Sequence, residues 1–374
     1  MADNKMIYMP LGKVSNSAII GRDSYMPEGR PTYKDYMFLA SKIKMRAQSM
    51  ITFERLEQIL NAGDVNTATR LLAESGWPNM MGMSADQIEE VLNDRWAGLI
   101  REFAMLVPED QVLELFQIPF DCHNAKTIIK SEGAGVDGTD LMSLAGRVHP
   151  EKLRQAYEEN DFRFIPAALA KGMTEAKAVL AKTQNPQLAD FVLDKACFGE
   201  LREMVTEVEP TVEFSSMLLD DEAGIPFMEY YCGLLIDRAN LRTCVRCVRM
   251  GKNAEYLRSV LLDGGNVSAD YLAKAAFGGE GLASMFVASP LQEAAVLGMA
   301  AMKGGSMTKF EKECDDGLMR YLANTRLMYF GAQLVVWYFA VEDRNITNIR
   351  MILTGLRSGI APERLRERLR ETYV

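Results

Sequence analysis

The sequence predicts an all-α fold assembled from three copies of one multi-helix unit, and three observations carry that expectation. Apolar residues recur at helical spacing almost from end to end. A phrase of acid, amide, apolar residue and base occurs three times, in "DCHNAKTIIK" from Asp121, "DRANLRTCVRC" from Asp237 and "NITNIRMILT" from Asn345. A second landmark then follows each copy in the same order. Strand signals are scarce, with only "KMIYMP" (5–10) and "VEPTVEF" (208–214) reading as extended.

Local chemistry justifies the helices one by one. Ser84 and Gln87 form a capping box, each side chain offering a bond to a free backbone N–H. Beyond it Ile88, Val91, Leu92, Leu99, Ile100 and Phe103 make an apolar stripe. Pro108, Glu109 and Asp110 have the residue types of a first helical turn. Pro119 is expected to start the helix that carries the first phrase. In the final "APERLRERLRETYV", Leu365, Leu369 and Tyr373 predict one last amphipathic helix with a charged outer face. The stretches "ESGWPNMMGM", "GAGVDG", "LDGGN", "FGGEG" and "KGGS" mark loops.

Composition narrows the function. The chain has 374 residues, 48% hydrophobic and 25% charged, so a sizeable core is expected. A net charge of −9 argues against nucleic acid as the main partner, because phosphate binding needs a basic surface. Met1 to Val14 offers no apolar stretch of signal-peptide length. The most apolar segment, Tyr329–Val341, falls short of the roughly 18 residues that cross a bilayer. We therefore expect a soluble protein with no direct membrane insertion. Six scattered cysteines read as reduced core thiols, since the CxxC of Cys244 and Cys247 has no second pair at zinc spacing. The 24 methionines fit a helical core or an adaptable docking surface.

The repeat has a helical logic. Aligned on Asn124, Asn240 and Asn348, the copies place Asp121, Asp237 and Asn345 three residues upstream. Ala125, Leu241 and Ile349 follow each amide, and then the bases Lys126, Arg242 and Arg350. No single reaction centre needs three copies of itself, whereas a repeated scaffold does. The copies lie too far apart for standard helical repeats of about 33 to 47 residues, so each unit holds several helices. Approximate units are 1–150, 151–265 and 266–374. The second landmark reads Gly146, Val148, Glu151, Leu153; then Gly265, Val267, Asp270, Leu272; then Gly359, Ile360, Glu363, Leu365. At ~100° per residue, Leu241, Cys244, Val245 and Val248 share one face, with Arg238, Arg242, Arg246 and Arg249 about a quarter turn away. Asp237 and Asn240 flank the apolar face, where an unpaired acid is costly. Both are expected to bond to a neighbouring helix end or an arginine.

Three stretches resemble the family of C subunits of bacterial and archaeal V/A-type ATPases, whose eukaryotic V-ATPase counterpart is the d subunit. They are "YMFLASKIKMRAQSMI", "FDCHNAKTIIKSEG" and "VEDRNITNIRMILTGLRSGIAPERLRERL". The likeness covers most of the chain in order and length, with Asn345 standing where the other copies carry Asp. It implies a funnel-shaped, pseudo-threefold helical body without catalytic residues, cofactor or metal. Such a body is a rotor part, joining the D and F subunits of the central shaft to the membrane proteolipid ring for H+ or Na+ transport. It implies a cytoplasmic protein, peripheral to the membrane through its complex. On that reading Lys126, Arg238, Arg242, Arg246, Arg249 and Arg350 are expected near partner surfaces.

Two other readings use the same residues. A general helical adaptor would share the fold and the lack of catalysis. An Mg2+-dependent enzyme like the terpene cyclases would use the acids of "LLDDEAG" (218–224), but no second ligand set accompanies them. "AMKGGSMTKF" lacks the G-K-[ST] ending that cradles phosphates, and "FGGEGLASM" lacks the preceding strand of a dinucleotide site.

Overall fold

The computed structural model describes residues 33–207, 227–278 and 281–372. Among these residues there are helices and no strands. The expected extended segments at 5–10 and 208–214, and the acids of 218–224, lie outside them.

The first part of the chain holds α1 (Tyr33–Ala47), α2 (Phe53–Leu60), α3 (Val65–Glu74), α4 (Ala85–Phe103), α5 (Asp110–Ala134) and α6 (Pro150–Glu159). The middle holds α7 (Ala167–Thr183), α8 (Pro186–Glu207), α9 (Phe227–Arg249), α10 (Ala254–Val260) and α11 (Ala269–Ala275). Then come α12 (Gly281–Ser284), α13 (Gln292–Met302), α14 (Met307–Ala323), α15 (Ala332–Arg357) and α16 (Pro362–Arg366).

Many starts are set by capping side chains. Thr52, Asp64, Asn253 and Ser306 each accept a first-turn N–H, and Ser84 with Gln87 forms the expected capping box. The three phrase-bearing helices end with one shared device. Gly135, Gly251 and Gly359 all take φ +66. In each case the glycine N–H and the next residue's N–H turn back onto the last helical carbonyls, as in Val136 to Ser131, Lys252 to Cys247 and Ile360 to Gly355.

The apolar segment 329–341 forms the start of α15, which is buried on every side from Ala332 to Glu342. A helix apolar all round belongs in a core, and no helix among the described residues is long and apolar enough to cross a membrane. Trp96 of α4, Phe116 of α5 and Phe339 of α15 meet there with ring centroids 5.3 to 6.2 Å apart. The C-terminal part of the chain thus packs against its beginning.

Two local expectations need correction. Pro119 does not start a helix; it lies inside α5, which begins nine residues earlier at Asp110. Having no N–H, it leaves the Leu115 carbonyl without its intrahelical donor. The final amphipathic helix is also shorter than its stripe suggests. Among its described residues only Pro362–Arg366 is α-helical, although Leu365 and Leu369 are both buried as expected; Tyr373 lies outside the described residues. Long-range bonds to residues 370 and 371, described next, hold this stretch out of a helix.

Candidate functional site

The three asparagines of the phrase do the same thing. Asn124 donates from Nδ2 to the Ser143 carbonyl at 2.8 Å and accepts the Ser143 N–H at 2.7 Å. Asn240 makes both bonds with Leu262 at 2.8 Å. Asn348 makes both with Arg370, at 2.9 and 3.1 Å. Each amide is at most 1% exposed. A carboxamide carries one donor side and one acceptor side, so it closes a two-bond ring with the N–H and C=O of one residue. Among neutral side chains only Gln offers the same planar pair, one methylene further from the backbone. The asparagine therefore pins an otherwise unpaired loop backbone against the buried face of its helix.

The acids pin the same loops a few residues on. Asp121 Oδ1 accepts the Val148 N–H and Asp237 Oδ1 accepts the Val267 N–H, both at 3.1 Å. Val267 leads into α11, so Asp237 does bond to a neighbouring helix end. The approach requires glycine: a Cβ on Gly146 or Gly265 would sit 2.3 Å from the carboxylate oxygen of Asp121 or Asp237. Gly265→Ala is expected to cost about 1–3 kcal/mol by overpacking. Urea titration checks this, and a variant as stable as the parent would contradict the geometry.

The two acids differ in their second oxygen. Asp121 Oδ2 accepts from Arg147 Nε at 2.8 Å, and Arg147 also reaches Glu200 at 2.8 Å. Burial raises the Asp121 carboxyl and the Arg147 guanidinium opposes that rise. Asn266 occupies the place of Arg147 in the second copy, and Asp237 Oδ2 gains no hydrogen bond there. Burial pushes Asp237 up to about 7, with the N–H groups of Val267 and Asn266 opposing only in part. In the third copy Asn345 Oδ1 has no hydrogen-bond partner among the described residues. The counterpart of Gly146 and Gly265 would fall at residue 373, outside the described residues.

This geometry corrects the third landmark. Gly359 is not the partner of Gly146 and Gly265; it stands in the helix-ending place of Gly135 and Gly251. All three follow their asparagine at one fixed distance. That regularity is readable in the sequence and is the signal that would have given the right register.

The bases point from copy to copy. Lys126 on α5 pairs with Asp194 on α8. Arg242 on α9 pairs with Asp315 on α14 at 2.8 Å. Arg350 on α15 pairs with Glu89 on α4 at 2.7 Å, returning to the start. The arginines of α9 are likewise engaged inside the chain. Arg238 reaches Asp315 at 3.1 Å, Arg246 reaches Glu311 at 2.7 Å, and Arg249 donates to the Ala301 and Gly305 carbonyls. Arg246 and Arg249 stay exposed while making these bonds, and Arg238 and Arg242 do not.

Asp315 is a hub that the sequence did not reveal. Four guanidiniums converge on it, from Arg238, Arg242, Arg344 and Arg370. Burial alone would raise its carboxyl, but Arg344, Arg238, Arg242 and Arg370 outweigh burial and hold it far below the carboxylate range. Its neighbour Asp316 accepts the Glu371 N–H at 3.0 Å. Asn348, Asp315 and Asp316 together fix residues 370 and 371.

The family model described as "ATP synthase (C/AC39) subunit" matches residues 39–368. The chain is 19% identical over 340 residues to the C subunit of the V-type sodium ATPase of Enterococcus hirae, covering 91% of this chain and 99% of that one. It is 23% identical over 356 residues to the C subunit of the A-type ATP synthase of Methanocaldococcus jannaschii, covering 89% and 86%. For the C subunit of the A-type ATP synthase of Haloferax volcanii the identity is 24% over 353 residues, covering 89% and 96%. The match takes in all three phrases and their helices, and the chain belongs to the C-subunit family of V/A-type ATPases.

Proposed function

We propose that this chain is a non-catalytic rotor element of a V/A-type ATPase. It joins the D and F subunits of the central shaft to the membrane proteolipid ring and passes torque between them during ATP-linked H+ or Na+ transport. On this reading it is a funnel of three pseudo-symmetric units, approximately 1–150, 151–265 and 266–374, held at the cytoplasmic face of the membrane by its partners.

One observation carries the reading. The base of each phrase pairs with the helix that precedes the next copy, and the third pairs with α4 of the first. Such a closed circuit resists opening at any one joint, which is what a torque-bearing part needs. The α5, α9 and α15 ends add support. Each exposes an apolar residue near its turn, Val136, Met250 and Ile360, so similar ends are available to a symmetric ring. Of the basic residues expected at partner surfaces, Arg246 and Arg249 have the exposure to serve there, while Lys126, Arg238, Arg242 and Arg350 brace the body itself.

Affinity purification of the tagged chain from membranes of its host tests the reading. Proteolipid and shaft subunits should copurify in fixed ratio. Recovery of the folded chain without either would favour a general helical adaptor.

A further inference from the structure

We propose that the arginine cluster around Asp315 is a binding site for one oxyanion of phosphate or carboxylate type. The inference stands independently of the rotor reading.

Donors and charge both exceed what the chain supplies. Asp315 Oδ1 accepts from Arg238 Nη1 at 3.1 Å and lies 2.8 Å from Arg242 Nη2 as an ion pair. Its Oδ2 accepts from Arg370 Nε at 2.6 Å and lies 3.3 Å from Arg344 Nη1 as an ion pair. Asp315 thus meets four guanidiniums through two hydrogen bonds and two further ion pairs, while each guanidinium carries about five N–H donors. Backbone carbonyls take two more, Glu311 from Arg242 and Arg368 from Arg370. The Nε groups of Arg242 and Arg344 are buried and meet no acceptor among the described residues.

Asp343, one residue before Arg344, is the second acid that feels Arg344 and Arg238. Four cations thus face two acids. Lys312, Asp316 and Glu371 form a neighbouring set with its own pairing, Lys312 to Asp316 and Asp316 to the Glu371 N–H. With two acids against one lysine, this set offsets part of the cluster's positive excess but not all of it. Burial lowers Arg238 from the usual guanidinium range even with Asp315 beside it, and Arg242 and Arg344 add to that as like charges. Planar guanidinium forks recognise carboxylate and phosphate oxygens in pairs. An oxyanion reaches the cluster at the outer atoms of Arg238, Arg242 and Arg370, whose side chains keep 26%, 24% and 21% of their exposure, while the two unmatched Nε groups lie beneath them.

The oxyanion has two possible sources, free phosphate or an acidic side chain of a docked chain, and the experiment separates them. Thermal melting and calorimetric titration of the purified full chain would use inorganic phosphate, glutarate and chloride at constant ionic strength. An oxyanion should raise Tm by several degrees over chloride. Arg238→Gln should weaken binding at least tenfold, and Arg246→Gln, outside the cluster, should not. Preference for phosphate assigns the free ion; preference for glutarate assigns a partner's carboxylate. If Arg238→Gln fails to fold, Arg370→Gln gives the same reading. Equal effects of all three salts, or oxyanion binding undiminished in the folded cluster variants, would overturn the proposal.

Discussion

Asn240→Ala lowers the free energy of unfolding by about 2–6 kcal/mol, because it orphans two buried backbone groups at about 1–3 kcal/mol each. Those groups are the N–H and C=O of Leu262, which is 6% exposed. Chemical denaturation gives the loss directly. Asn240→Asp separates the two bonds. It keeps an acceptor for the Leu262 N–H but sets a carboxylate against the Leu262 carbonyl. Its deficit should therefore shrink at acidic pH, where a protonated acid can donate. A loss below about 1 kcal/mol for Asn240→Ala would mean that the two-bond ring contributes less than an ordinary buried hydrogen bond.

Asp237→Asn acts in the opposite direction. The folded-state carboxyl titrates near 7, above its ordinary value of 3.8, because burial disfavours its charge. A raised acid stabilises most at low pH, where folded and unfolded chains both hold the proton. That contribution is lost as pH rises from about 4 through about 7, where the unfolded chain has ionised and the folded one is being forced to. Above about 7 the penalty is constant. The distance from 3.8 to about 7 sets an upper bound of about 4 kcal/mol. The variant keeps an oxygen for the Val267 N–H and removes the charge, at the expense of an amide without an acceptor. It should be more stable than the parent by about 1–3 kcal/mol at pH 8, with the advantage gone near pH 4. The third copy already carries Asn at this place, as Asn345. Stability profiles of the two proteins across pH 4 to 8 decide the matter, and parallel profiles would refute it. Asp121→Asn should gain nothing comparable, because it would strip Arg147 of a buried partner.

Much of the candidate site was legible as pattern and little of it as contact. The acid–amide–base phrase singled out Asp121, Asn124, Asp237, Asn240, Asn345 and Asn348, and all six are buried. The placement of Asp237 and Asn240 beside an apolar helical face implied partners for both. The phrase did not name the partners of the asparagines, because Ser143, Leu262 and Arg370 offer them only backbone, which has no sequence signature. The arginine stripe of α9 was legible as a stripe and pointed outward on spacing alone. Its engagement depends on α14, which brings Asp315 and Glu311 beneath it.

The amino-acid sequence by itself determined the all-α class, the capping at Ser84 and the threefold recurrence of the phrase. These follow from interactions within a few residues along the chain, where periodicity and capping chemistry act. Only the tertiary structure decided that α15 returns to α4, that residues 370 and 371 leave their helix, and that four arginines share Asp315. Arg350 and Glu89 lie 261 residues apart in the chain, far beyond the reach of any local pattern. Such bonds depend on which helices pack together, and that is settled by the burial of the whole apolar surface rather than by any short run of residues.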